Sequence, residues 1–174
     1  SNEILSKNKI FNREEAEKAL ESRKINLLLN STVKEISDQK ISIVHDSEIK
    51  DLDQDVVIWT AGVKPNLPFI DEKINQIDGR IVVNEKFQID HFANSFAIGD
   101  ISIIKGMEDL PLTAQVAMQE GNHLAKNIER LFLEKDLLSF EFQDNGEMIS
   151  LGIGEASISA LGVTLSGKLA FEAR

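Results

Sequence analysis

From Thr113 onward, apolar residues recur at Ala114, Ala117, Met118, Gly121, Leu124, Ala125, Ile128, Leu131 and Phe132. This is the i, i+3, i+4, i+7 spacing that lines one side of an α-helix. A strand with a period of two would throw half of those side chains onto the opposite face, so the segment cannot be extended. The chain must therefore fold around one long amphipathic helix, with Thr113 as its N-cap. The remaining sequence has to supply what that helix packs against.

Most of it reads as short strands. Ile25 to Leu29, Thr32 to Ile36 and Ile41 to Val44 are β-rich runs separated by Asn30-Ser31 and Asp38-Gln39, the pattern of a small meander. Before them, Asn12 followed by Glu14 and Glu15 predicts a helix start capped by Asn12, fading near Lys24. Val56-Val57-Ile58-Trp59 is continuously apolar, as expected of a strand covered on both faces. Lys64-Pro65-Asn66 and Leu67-Pro68 predict an extended connection. Asp78-Gly79 marks a turn before the strand Arg80 to Val83, and Ser95 to Ile98 reads as a further strand. Phe140 to Phe142 and Met148 to Gly152 predict a hairpin around Asp144-Asn145-Gly146, continued by Ala156 to Leu161 and Val163 to Leu165. Gly152-Ile153-Gly154 lacks the third glycine of a phosphate loop and reads as a pleat or bulge.

Charge and composition narrow the function. Nineteen basic against twenty-nine acidic residues leave a formal charge of -10, which disfavours nucleic acid and anionic lipid. The absence of cysteine removes disulfides, thiol redox centres and thiolate metal sites from this chain. His45, His91 and His123 have no metal-ligand spacing, so no metal is expected. No apolar run approaches the ~18 residues of a bilayer-spanning helix. The chain opens Ser1-Asn2 without methionine, as a trimmed polypeptide with a protease scar does, and is expected to begin partway through a longer protein.

Two places carry candidate chemistry. Phe96-Ala97-Ile98-Gly99-Asp100 is an apolar run closed by a glycine and a carboxylate. A ligand can approach the backbone where Cβ is missing, and the carboxylate can then accept its hydroxyl hydrogens; equally, Gly99-Asp100 serves as a plain turn. The second place is the first turn of the long helix, Ala114-Gln115-Val116, where N–H groups and the positive end of the dipole favour negative charge. Gln115 and Gln119 project from one side, with Asn122 after them. They form either a polar lining beside a greasy cleft or a solvated face.

In order and spacing, Asp55-Val56-Val57-Ile58-Trp59-Thr60-Ala61-Gly62-Val63, Gly79-Arg80-Ile81-Val82-Val83-Asn84, Phe96-Ala97-Ile98-Gly99-Asp100 and Thr113-Ala114-Gln115-Val116-Ala117-Met118-Gln119-Glu120-Gly121 resemble the C-terminal half of two-dinucleotide flavoproteins. Within that superfamily the chain most resembles type II NADH:quinone oxidoreductases. The resemblance implies an α/β fold, α+β for this part alone. Residues 1–57 would be the tail of the NAD(H)-binding domain, 58–134 the C-terminal part of the FAD-binding domain, and 135–174 the start of a β-rich C-terminal domain. It further implies that Thr60, Ala61 and Gly62 mark the crossing between the dinucleotide domains. Gly99 and Asp100 would hold the FAD ribityl chain, and Ala114, Gln115 and Val116 would meet the flavin pyrimidine edge. Gln115 and Gln119 would line the quinone site.

Both Gly-x-Gly-x-x-Gly fingerprints of that family are missing from these residues, so this chain alone is expected to bind FAD weakly or not at all and to be inactive. The longer protein would take NADH and a quinone, attach peripherally to the cytoplasmic face of a membrane, and pair as a homodimer. Two other readings stand beside this one: a thiol-disulfide reductase of the same superfamily, against which the lack of a late His-x-x-His-Pro stretch argues, and a non-catalytic dimerisation or membrane-docking module.

Overall fold

The computed structural model describes residues 1–67 and 71–173. Pro68, part of the expected extended connection, lies outside them. In chain order the elements begin with helix α1 (Ile10–Ser22) and strands β1 (Ser31–Ile36), β2 (Lys40–His45) and β3 (Glu48–Asp53). Next come β4 (Gln76–Ile77), β5 (Arg80–Val83), β6 (Gln88–Ile89), β7 (Phe92–Phe96), a 3-10 turn (Gly99–Ile101) and β8 (Ser102–Ile104). Helix α2 (Ala114–Phe132), strands β9 (Glu147–Gly152), β10 (Glu155–Ala160) and β11 (Val163–Gly167), and helix α3 (Lys168–Glu172) complete the set. They fall into two compact units, Ser1–Trp59 with Asp144–Arg174, and Thr60–Gln143.

The first unit holds two antiparallel meanders, β1-β2-β3 and β11-β10-β9. The first meander is one strand later than the sequence suggests. Ile25 to Leu28 form no strand, and Glu48–Asp53 supplies the third one. Apart from Ile43 its side chains are exposed or half-buried, so it contributes little core. Helix α1 instead packs over β10 through small residues, Ala16 on the helix and Ala156 and Ser157 on the strand, all buried, and α3 packs on the same strand with its Ala170 buried.

Asn12 does not cap α1. The helix starts two residues earlier, after Lys9, and the fully buried Asn12 side chain faces the sheet. Its Oδ1 accepts from Ser157 Oγ at 2.5 Å, while its Nδ2 donates to the Glu147 carbonyl at 3.3 Å and to Glu147 Oε1 at 2.9 Å. Asn12→Ala is expected to cost about 2 kcal/mol, because it strands a buried hydroxyl and a carbonyl together. Urea unfolding measures this, and a cost near zero would show that the network adds nothing.

In the second unit β5 is the central strand. Ile81, Val82 and Val83 are all buried, as a strand enclosed on both faces requires. It pairs antiparallel with β4 and β6 and parallel with β8. The β4–β5 hairpin turns at Asp78-Gly79, both with positive φ (51° and 74°), the geometry that Asp-Gly favours between twisted strands. Ile81, Val83, Phe87, Ile89, Ala97, Ile104 and Phe140 form the core, with Leu124 of α2 packed against it.

Three sequence expectations fail. Among the described residues no strand pairs with Val56-Val57-Ile58-Trp59, and Val56, Ile58 and Trp59 stand 78, 81 and 61% exposed. Phe140 to Phe142 is not the arm of a hairpin with Met148 to Gly152; β9 pairs with β10, and Phe140 is buried in the other unit. The strand before Gly99 ends at Phe96 because it is held by β6, leaving Ala97-Ile98 as an extended lead into the 3-10 turn. The Gly152 region is a hairpin turn with a register shift at Glu155/Ala156, the bulge its glycines suggested.

Helix α2 forms where its periodicity places it, with the Thr113 side chain accepting from the Val116 N–H at 3.4 Å. Its deepest line, however, is Val116, Glu120 and Asn127, whereas Met118, Ile128, Leu131 and Phe132 remain exposed. Two of the three most buried side chains on the helix are therefore polar.

Candidate functional site

Polar side chains on a buried helix face need partners, and those of α2 find them in backbone. Asn127 donates to the Leu138 carbonyl and accepts from the Leu138 N–H, both at 2.9 Å. Gln119 does the same at Gln143, donating to its carbonyl at 2.8 Å and accepting from its N–H at 3.0 Å. His123 Nε2 lies 2.9 Å from the Leu138 carbonyl. Residues 138–143 are thus pinned along α2 by two amides, each pairing as a neighbouring strand would. The rings of Phe87, His123 and Phe140 stack between those pins, with centroids 5.1 to 5.8 Å apart.

Glu120 has a different partner. Only 4% exposed, its Oε2 accepts from the Gly99 N–H at 2.6 Å. The Gly99 carbonyl in turn accepts from Ser102 Oγ at 3.1 Å. Gly99 sits at φ +73°, where an L side chain is strained, and a Cβ built there would meet no atom within 4 Å. The space in front of this peptide is open, and its orientation is fixed from both sides.

That space opens onto a shallow surface cleft. Gly99, Asp100, Arg80 and Ser102 line one part, Thr113, Val116, Ala117 and Glu120 another, and Ile103, Ile104, Met107 and Leu110 give it an apolar wall. Asp100 is exposed at this cleft, and among the described residues no hydrogen bond or ion pair engages its carboxylate. The positive end of the α2 dipole borders the same space.

Of the residues singled out in the sequence, Gly99, Asp100 and Val116 are brought together. Ala114, Gln115 and Gln119 do not line this cleft, and Thr60, Ala61 and Gly62 are exposed in an irregular segment. Gln119 borders a second, more open hollow with Asn122, His123, Lys126, Phe140 and Glu141. Glu120 and Arg80 were not anticipated. The signal for Glu120 was available: it lies four residues from both Val116 and Leu124, a carboxylate on an otherwise apolar helical line. Among the described residues no cluster of His, Asp or Glu is arranged to hold a metal ion.

Burial raises the Glu120 carboxyl above the usual carboxylate range; the Gly99 N–H draws it back and the Asp100 charge pushes it further up. Its charge thus weakens the fold above the native pKa, and the penalty is relieved as pH falls through that value toward the ordinary 4.5. Glu120→Gln cannot ionise there. Any stability advantage of this variant over wild type is expected to shrink on acidification, read as the difference between their urea curves across pH. A difference that stays flat would contradict the assignment.

Comparison with known proteins identifies the family. The chain spans 38% of the length of a 32% identical relative that aligns with all of it, the alternative NAD(P)H-ubiquinone oxidoreductase C1, chloroplastic/mitochondrial, of Arabidopsis thaliana. A type II NADH:quinone oxidoreductase of Staphylococcus aureus is also 32% identical over 87% of the chain, again 38% of the relative. Among solved structures, NDH2 of Plasmodium falciparum in complex with NADH superposes with a TM-score of 0.80 over 99% of the chain and 52% of its own, at 15% identity, which establishes the shared fold. The profile that describes the pyridine nucleotide-disulphide oxidoreductases matches residues 2–121, from α1 through the Gly99 turn to the Glu120 turn of α2, and the chain belongs to that family.

Proposed function

We propose that this chain is the part of an FAD-dependent NADH:quinone oxidoreductase that grips the ribityl and ring portions of the flavin. The observation that carries the reading is the meeting of the Asp100 turn and the α2 N-terminus at one cleft. The residues suit that portion of the cofactor. A carboxylate that no hydrogen bond or ion pair engages among the described residues accepts hydrogen bonds from a polyol, the open space over Gly99 admits a chain close to backbone, and the apolar wall suits a flat ring. With Glu120 beside Asp100 the cleft is a poor place for pyrophosphate.

FAD, when bound, supplies the two-electron chemistry that links NADH to quinone. Asp100 orients the polyol, and the positive end of α2 favours negative charge developing in the ring, an electrostatic preorganisation. Gln115 and Gln119 border the acceptor side, Gln119 while holding residue 143. Val116 faces the ring edge, Ala114 stands beside it outside the cleft lining, and Thr60-Ala61-Gly62 is the crossing between dinucleotide domains. Residues 1–57 belong to the NADH-binding part, 58–134 to the FAD-binding part and 135–174 to the C-terminal part of the longer protein. The named activities of the relatives support a quinone acceptor; peripheral attachment at the cytoplasmic face of a membrane and assembly as a homodimer belong to the same proposal for the longer protein. No helix among the described residues is long and apolar enough to cross a bilayer.

A titration followed by flavin fluorescence tests the ligand class. FAD and FMN are expected to bind this chain with similar, weak affinity, because the recognised portion is common to both, and ADP-ribose is expected not to compete. Competition by ADP-ribose would contradict the reading.

A further inference from the structure

Gly99 is separated from Glu120 by 21 residues, yet their hydrogen bond, at 2.6 Å, is among the shortest in the second unit. A carboxylate is an expensive group to bury, more so beside Asp100, and any neutral acceptor would satisfy one N–H. A charge-assisted bond is shorter and stiffer than a neutral one. What it stiffens here is the peptide that enters Asp100, in a glycine whose left-handed φ has no side-chain packing to define it. On the opposite side Ser102, itself buried, holds the Gly99 carbonyl.

From this we infer that Glu120 is a positioning residue for the ligand held by Asp100. Its carboxylate, on the second turn of α2, ties the Gly99 N–H to the helix, so that the Asp100 carboxylate and the α2 N-terminus keep one fixed separation. A ligand that touches both then finds them preorganised. The inference rests on the flavin reading for the identity of the ligand, and on the Gly99 contact alone for the tie itself.

The test uses the 174-residue chain, labelled with 15N, with FMN as the probe. In wild type the Gly99 amide proton is expected far downfield and protected from exchange. Glu120→Ala is expected to lose that shift and to exchange at least about tenfold faster, while binding FMN about tenfold more weakly. Glu120→Gln keeps an acceptor and is expected to restore FMN affinity to within about threefold, with Gly99 moved upfield. Leu124→Ala, a truncation on the same helix face, is expected to lose stability without altering the Gly99 resonance or FMN affinity, which separates positioning from general loosening.

A Gly99 amide indifferent to Glu120→Ala overturns the tie. A shifted Gly99 with unchanged FMN affinity overturns the positioning role. If the alanine variant does not fold, Glu120→Gln decides: an unmoved Gly99 resonance overturns the inference and an upfield one sustains it. A wild-type chain with no response to FMN, but with Gly99 answering to Glu120 as stated, overturns the flavin reading and leaves the tie standing.

Discussion

Asp100→Ala is expected to weaken flavin binding by about 10- to 100-fold, the range of one lost hydrogen bond to a charged group. The same change should leave the melting temperature near its original value. The carboxylate is exposed and engages no hydrogen bond or ion pair among the described residues, so the fold has little to lose. Removing it even relieves Glu120, whose carboxyl is pushed up partly by the Asp100 charge. Asp100→Asn retains an acceptor and should fall between the two. A carboxylate that merely closes a turn would produce the opposite pattern, with intact binding and a loss of stability. Flavin fluorescence and thermal unfolding, measured on the same samples, separate the two.

Phe87→Ala is expected to destabilise the second unit by about 3–5 kcal/mol, the cost of truncating a fully buried aromatic. Phe87 is 0% exposed, at the centre of the core, and touches Phe140 and His123 with ring centroids 5.1 and 5.8 Å away. Its removal takes the floor from under Phe140, one of the anchors of residues 138–143. Its backbone adopts φ +67°, a conformation that alanine tolerates no better, so no strain is recovered. The Asn84 side chain braces that turn by accepting from the Lys86 and Gln88 N–H groups. Urea unfolding with an unchanged slope but a markedly lower midpoint is the expected result. A loss below about 1 kcal/mol would mean that the core relaxes to fill the space.

The sequence was most legible where local geometry decides structure alone. Nineteen residues of α2 with their Thr113 cap, the Asp78-Gly79 hairpin and strand β5 follow from periodicity and turn chemistry that need no distant partner. It was least legible where a segment depends on what lies beside it. Val56 to Trp59 has the composition of an enclosed strand, yet no strand is assigned to it among the described residues, and Val56 and Ile58 stand largely exposed. Phe140 to Phe142 reads as half of a hairpin because Asp144-Asn145-Gly146 has turn composition, yet in the structure the Asp144 carboxylate closes on the Gly146 N–H without a hairpin forming there, and Phe140 joins the core of the second unit.

The candidate site divides along the same line. Gly99 and Asp100 could be picked out because glycine then carboxylate at the end of an apolar run is a local pattern. Glu120 is not legible locally because its hydrogen-bond partner lies 21 positions away. Counting apolar side chains along α2 also misjudged which line of the helix is deepest. Glu120 and Asn127 score as polar, and only their backbone partners make burial tolerable. Gln119 was identified for its side chain and is engaged through it, with Gln143 rather than in the Asp100 cleft.

A crystal structure of this chain grown with FAD probes the central claim most directly. The expected result places the ribityl hydroxyls within hydrogen-bonding distance of Asp100 and the isoalloxazine edge at the first turn of α2, with the Glu120–Gly99 bond intact. Flavin seated in the hollow beside Gln119 and Phe140, with the Asp100 cleft left to solvent, would contradict it.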